Sequence, residues 1–285
     1  MVAAALVLLV AAGAVIAAVV GSSPEVDAQP RFVAGTPEAG VAVGLDVTVY
    51  FPAVTPAPAV LLAHGFGGSK ADLDSEARSL ALNGYVVEAY TARGFGRSGG
   101  LIHLDAPSYE VADASKLISD LATLPQVIKD APGDPRVGVA GSSYGGGLAL
   151  LLGAYDKRVD AIAADITWND LSQALFPNSA GGQPGVFKKL WAGELFASAS
   201  GQKGGACGRF APELCAAYQQ AASAGEPDAS ILSLLKASRP AGVRNRITAP
   251  TPPSPGEQAS ILPPPPAYAD PQGIAAPAPH HSINL

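Results

Sequence analysis

Short apolar runs alternate with polar stretches through the central half of this chain. Residues 45–51, LDVTVYF, switch between apolar and polar positions, as a half-buried strand does. Residues 58–63 (PAVLLA), 85–90 (YVVEAY), 137–140 (VGVA) and 159–168 (VDAIAADITW) are nearly continuous apolar runs, the pattern of strands covered on both faces. Between them, Leu73, Ala77, Leu80 and Ala81 fall at helical spacing over 70–83, ending at Asn83-Gly84. A second helix is predicted over 109–124, and 148–152 opens a third. Strand and helix thus alternate from 58 to 155, which predicts a mostly parallel sheet with helices on both faces.

The pattern changes at both flanks. From 171 to 239, loops rich in Gly, Ser and Pro mix with amphipathic pieces at 212–222 and 231–236, so this stretch reads as a cap on the sheet domain. From 249 prolines crowd the chain, among them Pro250, Pro252, Pro253, Pro255 and the run 263–266. No central strand holds so many, and 252–285 is expected to be a poorly ordered tail. At the other end, residues 2–20 are almost all Ala, Val, Leu, Ile and Gly, closed by Gly21-Ser22-Ser23-Pro24. That is a signal-peptide core or a single membrane anchor, with small residues at Val26 and Ala28 placing a cleavage site after Ala28. The expected division is 1–28 for export, 42–251 for one α/β domain with its cap at about 171–239, and 252–285 for the tail.

Composition narrows the function. Of the 285 residues, 48% are apolar, enough for one sizeable core. A net charge of −6 with no basic run excludes nucleic acid as a partner. Membrane contact is expected only through the N-terminal run. In an exported protein Cys207 and Cys215, eight positions apart, predict a disulfide, with two buried thiols as the other reading. With no histidine pair beside them they make no zinc site, and no metal or cofactor is expected.

Two glycine-rich turns carry the chemistry. Gly141-Ser142-Ser143-Tyr144-Gly145 is a G-x-S-x-G pentapeptide between an apolar strand and an apolar helix. In that setting the serine sits on a sharp, strained turn that exposes its hydroxyl, with glycines where side chains would collide. His64-Gly65-Phe66-Gly67-Gly68 leaves the 58–63 strand in the same way. Backbone N–H groups of Phe66 and Tyr144 are the expected oxyanion donors for an acyl intermediate, each worth about 3 kcal/mol. Trp168, at a strand end where ligands of open α/β sheets bind, and His64 are candidates for the substrate pocket, with core packing as the other reading of Trp168. Arg93 and Arg97, in the loop 91–100, either shape that pocket or lie on the surface. His103 reads as a surface residue.

The order His-Gly-Phe-Gly-Gly, then Arg93-Gly-Phe-Gly-x-Ser-Gly-Gly100, then Gly-Ser-Ser-Tyr-Gly-Gly resembles the Xaa-Pro dipeptidyl-peptidase-like branch of the α/β-hydrolases, which includes acyl esterases. The likeness extends to exported actinobacterial members, through the 166–171 segment ITWNDL. It implies an α/β-hydrolase fold with a small cap after the sixth strand, and a serine hydrolase that cleaves an ester or peptide bond of a small substrate through an acyl-enzyme on Ser143. It also implies an extracytoplasmic location. The tail departs from the pattern. Where the family has an apolar strand and then the triad acid, this chain has Pro252-Pro253-Ser254-Pro255 and, at the acid position, Ala259. Only His280 or His281 keeps the order Ser, acid, His. The final strands are expected to be missing or disordered and activity impaired. The other reading is an inactive α/β-hydrolase remnant with a binding role or none.

Overall fold

In a computed structural model of the chain, described over residues 26–177, 185–200 and 205–252, six strands form one sheet in the order β1-β2-β4-β3-β7-β8. β1 is Asp27–Ala34, β2 Gly44–Phe51, β3 Ala59–Ala63, β4 Val86–Tyr90, β7 Val137–Ser142 and β8 Val159–Asp165; β5 (Lys129–Ala131) and β6 (Asp134–Pro135) form a separate small hairpin. β1, β2 and β4 pair antiparallel; β4, β3, β7 and β8 run parallel. The predicted parallel core is present, extended by an antiparallel edge.

The period-two geometry of strands explains how both faces are filled. Leu45 and Val47 of β2, Leu61 of β3, Val86 of β4 and Val139 of β7 point into the larger core. Helices α2 (Ala112–Leu121) and α3 (Tyr144–Tyr155) close it with Leu117, Ile118, Leu148 and Leu151. Tyr50, Leu62, Val87 and Ala89, one residue out of step, point to the other face. There α1 (Asp74–Leu82) covers them with Ala77 and Ala81.

One boundary is corrected. The domain expected to begin at 42 begins at least at Val26, which is buried, and β1 pairs with β2 from Asp27↔Phe51 to Ala34↔Gly44. The expected cleavage site after Ala28 falls inside β1, where a cut would remove two paired residues. The residues before 26 lie outside the described part.

The cap follows β8, the sixth strand of the main sheet. It contains α4 (Leu171–Leu175), α5 (Lys189–Ser200), α6 (Pro212–Ala224) and α7 (Ala229–Lys236). Asp170 caps α4 through Ser172 N–H and Asp228 caps α7 through Ile231 N–H. Gly225 ends α6 in the left-handed conformation at φ 79°. Cys207 is bonded to Cys215 of α6. The loop after β4 is stitched to the cap by two backbone bonds, Ile102 N–H to Arg209 O at 2.8 Å and Ala211 N–H to Ile102 O at 3.0 Å.

Candidate active site

Ser143 stands between the end of β7 and the start of α3 with φ 55° and ψ −113°, a conformation that side chains rarely adopt. Its N–H donates to Asp165 O at 2.9 Å, and its carbonyl accepts from Thr167 Oγ1 at 2.8 Å and from Gly147 N–H at 3.1 Å. The glycines are required by backbone contact. A Cβ on Gly145 would lie 2.1 Å from Ala63 O, and one on Gly141 would lie 2.5 Å from the Gly145 carbonyl carbon. The ends of β3 and β7 and the first turn of α3 therefore touch backbone to backbone, and Ser143 is left exposed at their meeting point.

The loop after β3 lies against this turn; a Cβ on Gly65 would come within 3.9 Å of the Ser143 Cβ. Its shape is held by His64, whose Nε2 accepts from Ala92 N–H at 2.9 Å. That bond leaves the ring proton on Nδ1, which donates to Gly65 O at 2.7 Å. Burial pushes the His64 pKa below its usual value. Both nitrogens are thus spent on backbone, and the ring does not border the cavity, which corrects the pocket role expected for His64. Phe66 packs edge-on against Phe95 and Tyr144, with centroids 5.1 and 5.3 Å apart.

Ser143, Phe66, Tyr144 and Trp168 all border one cavity of about 500 Å³ between the sheet edge and the cap. Trp168 packs as core and also borders the cavity. It is 6% exposed, donates Nε1–H to Ser238 O at 2.9 Å and covers Gly147, yet it walls the cavity. The roof follows from helix periodicity. Leu214, Ala217, Tyr218 and Ala221 make one stripe of α6, and Ile231, Leu234 and Leu235 one of α7. Among the described residues, no charged side chain lines the cavity.

Behind Tyr144 lies a buried charged cluster with no signal in the sequence pattern. Arg93, read as either pocket or surface, is 1% exposed and forks onto Asp113 at 2.7 and 3.0 Å. Arg97 is the surface residue of the pair, lying 3.9 Å from Asp46 with its side chain 74% exposed. His103 is buried rather than on the surface. It binds Glu38 at 2.8 Å, stacks on Tyr109 at 3.5 Å and faces Glu213 of α6 at 3.4 Å. Its N–H donates to Glu110 at 2.6 Å. Burial pushes the Glu110 carboxyl up to about 7. Burial, reinforced by Glu110, pushes the Asp105 carboxyl well above the usual range. Among the described residues neither Asp105 oxygen has a partner in hydrogen-bond geometry, and the nearby Tyr144 hydroxyl offsets only part of that rise. Asp105 therefore holds its proton more tightly than an ordinary carboxyl does. Ala259, His280 and His281 lie outside the described residues.

The monoacylglycerol lipase of Mycolicibacterium smegmatis is 35% identical over 108 residues, covering 37% of this chain and 36% of that one. The uncharacterized protein YcjY of Escherichia coli K12 is 32% identical over 126 residues, 42% of this chain and 40% of that one. The chain therefore spans well under half the length of these curated relatives. Acetyl xylan esterase 1 of Thermoanaerobacterium sp. JW/SL YS485 superposes with a TM-score of 0.58 at 18% identity, over 90% of this chain and 80% of that one. A 2,6-dihydroxy-pseudo-oxynicotine hydrolase does so with a TM-score of 0.53 at 18% identity, over 79% of this chain and 51% of that one. At such identities the superpositions establish a shared fold, that of the α/β-hydrolases. The profile of the X-Pro dipeptidyl-peptidase (S15) family matches residues 40–241. With the elbow at Ser143, the glycine-rich loop after β3 and the cap all inside that span, the chain belongs to the X-Pro dipeptidyl-peptidase (S15) family, a hydrolase family of α/β-hydrolase fold.

Proposed function

We propose that the chain is a serine hydrolase that forms an acyl-enzyme on Ser143, and that its bond is an ester rather than a peptide. The observation that carries the reading is Ser143 itself, held at φ 55° at the floor of an uncharged cavity. In the proposed reaction Ser143 Oγ attacks the carbonyl carbon, and the carbonyl oxygen turns toward the backbone N–H groups of Phe66 and Tyr144. The intermediate collapses by expelling the alcohol, and water then releases the acid. A dipeptidyl-peptidase substrate carries a free ammonium close to the scissile bond. Burying that charge against uncharged walls costs several kcal/mol, about as much as any unpaired ion, so a neutral ester fits this cavity better.

The proton on Ser143 needs a base. Neither described histidine supplies one: His64 is bonded to backbone at both nitrogens, and His103 is held between Glu38 and Glu213. His280 or His281 is the proposed base, without an acid at Ala259 to orient it. Loss of the orienting acid lowers kcat by about four decades in a Ser-His-Asp enzyme, so turnover of p-nitrophenyl acetate is proposed to be slow. The disulfide fits an oxidising compartment, and we place the protein outside the cytoplasm on that ground.

The test is labelling by a fluorophosphonate probe. The label is expected on the peptide containing Ser143, absent in Ser143→Ala, and weakened in the His280→Ala or His281→Ala variant that removes the base. A folded protein that takes no label at Ser143 overturns the reading. It would favour a second one, supported by the intact cavity beside a serine without a described base, in which the fold binds a ligand and does not turn it over.

A further inference from the structure

We propose that the cap cavity is a site for one unbranched hydrocarbon chain of about eight to twelve carbons, presented as the acyl part of an uncharged ester. The assignment of that chain to an acyl group rests on the reading of Ser143 as the reacting residue. The site itself rests on the walls.

Those walls make few polar demands. Rings stack continuously from the loop after β3 into the cap: Phe66 on Phe210 at 5.9 Å, Phe210 on Phe196 at 4.7 Å and Phe196 on Tyr218 at 4.0 Å. Aliphatic stripes of α6 and α7 face them. A sugar or a peptide would bring hydroxyl or amide groups into this surface with little to receive them, at a cost of about 1–3 kcal/mol each. A hydrocarbon chain brings none. Size bounds the length from above. A methylene takes up about as much room as a water molecule, roughly 30 Å³. Ten of them therefore occupy about 300 Å³ of the 500 Å³ available, leaving space for the ester group at Ser143. The chain runs from the carbonyl inward because the floor of the cavity holds Ser143 together with Phe66 and Tyr144, the two residues assigned to the carbonyl oxygen.

The protein carries its own reporter. It has two tryptophans, Trp168 and Trp191, and both border the cavity. Bromine quenches indole emission on contact. Full-length Ser143→Ala protein, which turns nothing over, is titrated with 11-bromo-1-undecanol and, separately, with 3-bromo-1-propanol. We expect saturable quenching by the long alcohol, with half-saturation at least a hundredfold below that of the short one. Ala217→Phe on α6, which fills the cavity from the roof, is expected to weaken the long alcohol at least tenfold. Leu234→Phe on α7, at a half-buried position, serves the same end if the first variant does not fold. Non-saturating quenching that is equal for the two alcohols overturns the site.

A second measurement separates this proposal from the chemistry at Ser143. Across p-nitrophenyl esters from acetate to dodecanoate, KM is expected to fall about fourfold per methylene, equivalent to ~0.8 kcal/mol, and to level off once the cavity is full. Saturable quenching without turnover supports the chain site and removes the acyl-enzyme reading. Turnover with a flat KM and no saturable quenching supports the acyl-enzyme reading and removes the chain site.

Discussion

Ser143 is where backbone geometry and proposed chemistry meet in a single residue. Its φ of 55° and ψ of −113° are tolerable for glycine and strained for anything with a Cβ, a cost of about 1–3 kcal/mol. Replacement by alanine keeps that strain. Replacement by glycine removes it and gives back about 0.5–1 kcal/mol in chain entropy. Ser143→Gly is therefore expected to unfold in urea about 1 kcal/mol later than Ser143→Ala, while neither takes a serine probe. Equal midpoints for the two would mean that the elbow is unstrained. The elbow and the loop after β3 could be read from the sequence because their glycines answer to local backbone collisions, such as Gly145 against Ala63. The direction of the His64 ring could not. Its partner Ala92 comes from another loop, and nothing near position 64 marks that bond.

Among the elements, β4 shows how a sheet holds a carboxyl in its core. Glu88 sits opposite Val49 of β2 and Leu61 of β3 and is fully buried. Arg31 of β1 reaches it at 3.4 Å, and Asp120 of α2 shares the same arginine. Burial first, and then Asp120, push the Glu88 carboxyl up to about 8 against the pull of Arg31. The folded state therefore keeps a proton that the unfolded chain releases near pH 4.5. Stability from this group is complete below that pH and is lost as pH rises toward 8. The slope is at most about 1.4 kcal/mol per pH unit, on the order of 3 °C in Tm. Glu88→Gln should flatten the Tm profile between pH 5 and 8 and melt above the parent at pH 8. A parallel profile for the two proteins would show that Glu88 is ionised in the fold. β4 itself could be read from the sequence, because YVVEAY is apolar around a single carboxylate. β1 was not legible. It is an edge strand with one face toward water, it carries Pro30, and its residues alternate too weakly to stand out from a leader.

At the scale of the whole molecule, sheet and cap were legible as two textures of sequence, but what joins them was not. His103 finds Glu38 sixty-five positions away and Glu213 on a cap helix, pairings made by the tertiary fold alone. The eight-residue separation of Cys207 and Cys215 predicts about 2–3 kcal/mol of stabilisation through the unfolded chain. The double variant Cys207→Ser, Cys215→Ser should lose that much in urea; an unchanged midpoint would assign the bond no thermodynamic role. The stitch at Ile102 carries the consequence further. Its N–H and the Ala211 N–H are donated across one seam, in opposite directions, to Arg209 O and Ile102 O. An opening of this seam would free both amides at once. In hydrogen exchange the two should therefore share a single protection factor, and both should fall together in the double variant. Those two amides are a gauge on the cap: their common protection is the free energy needed to lift the roof of the cavity off the sheet.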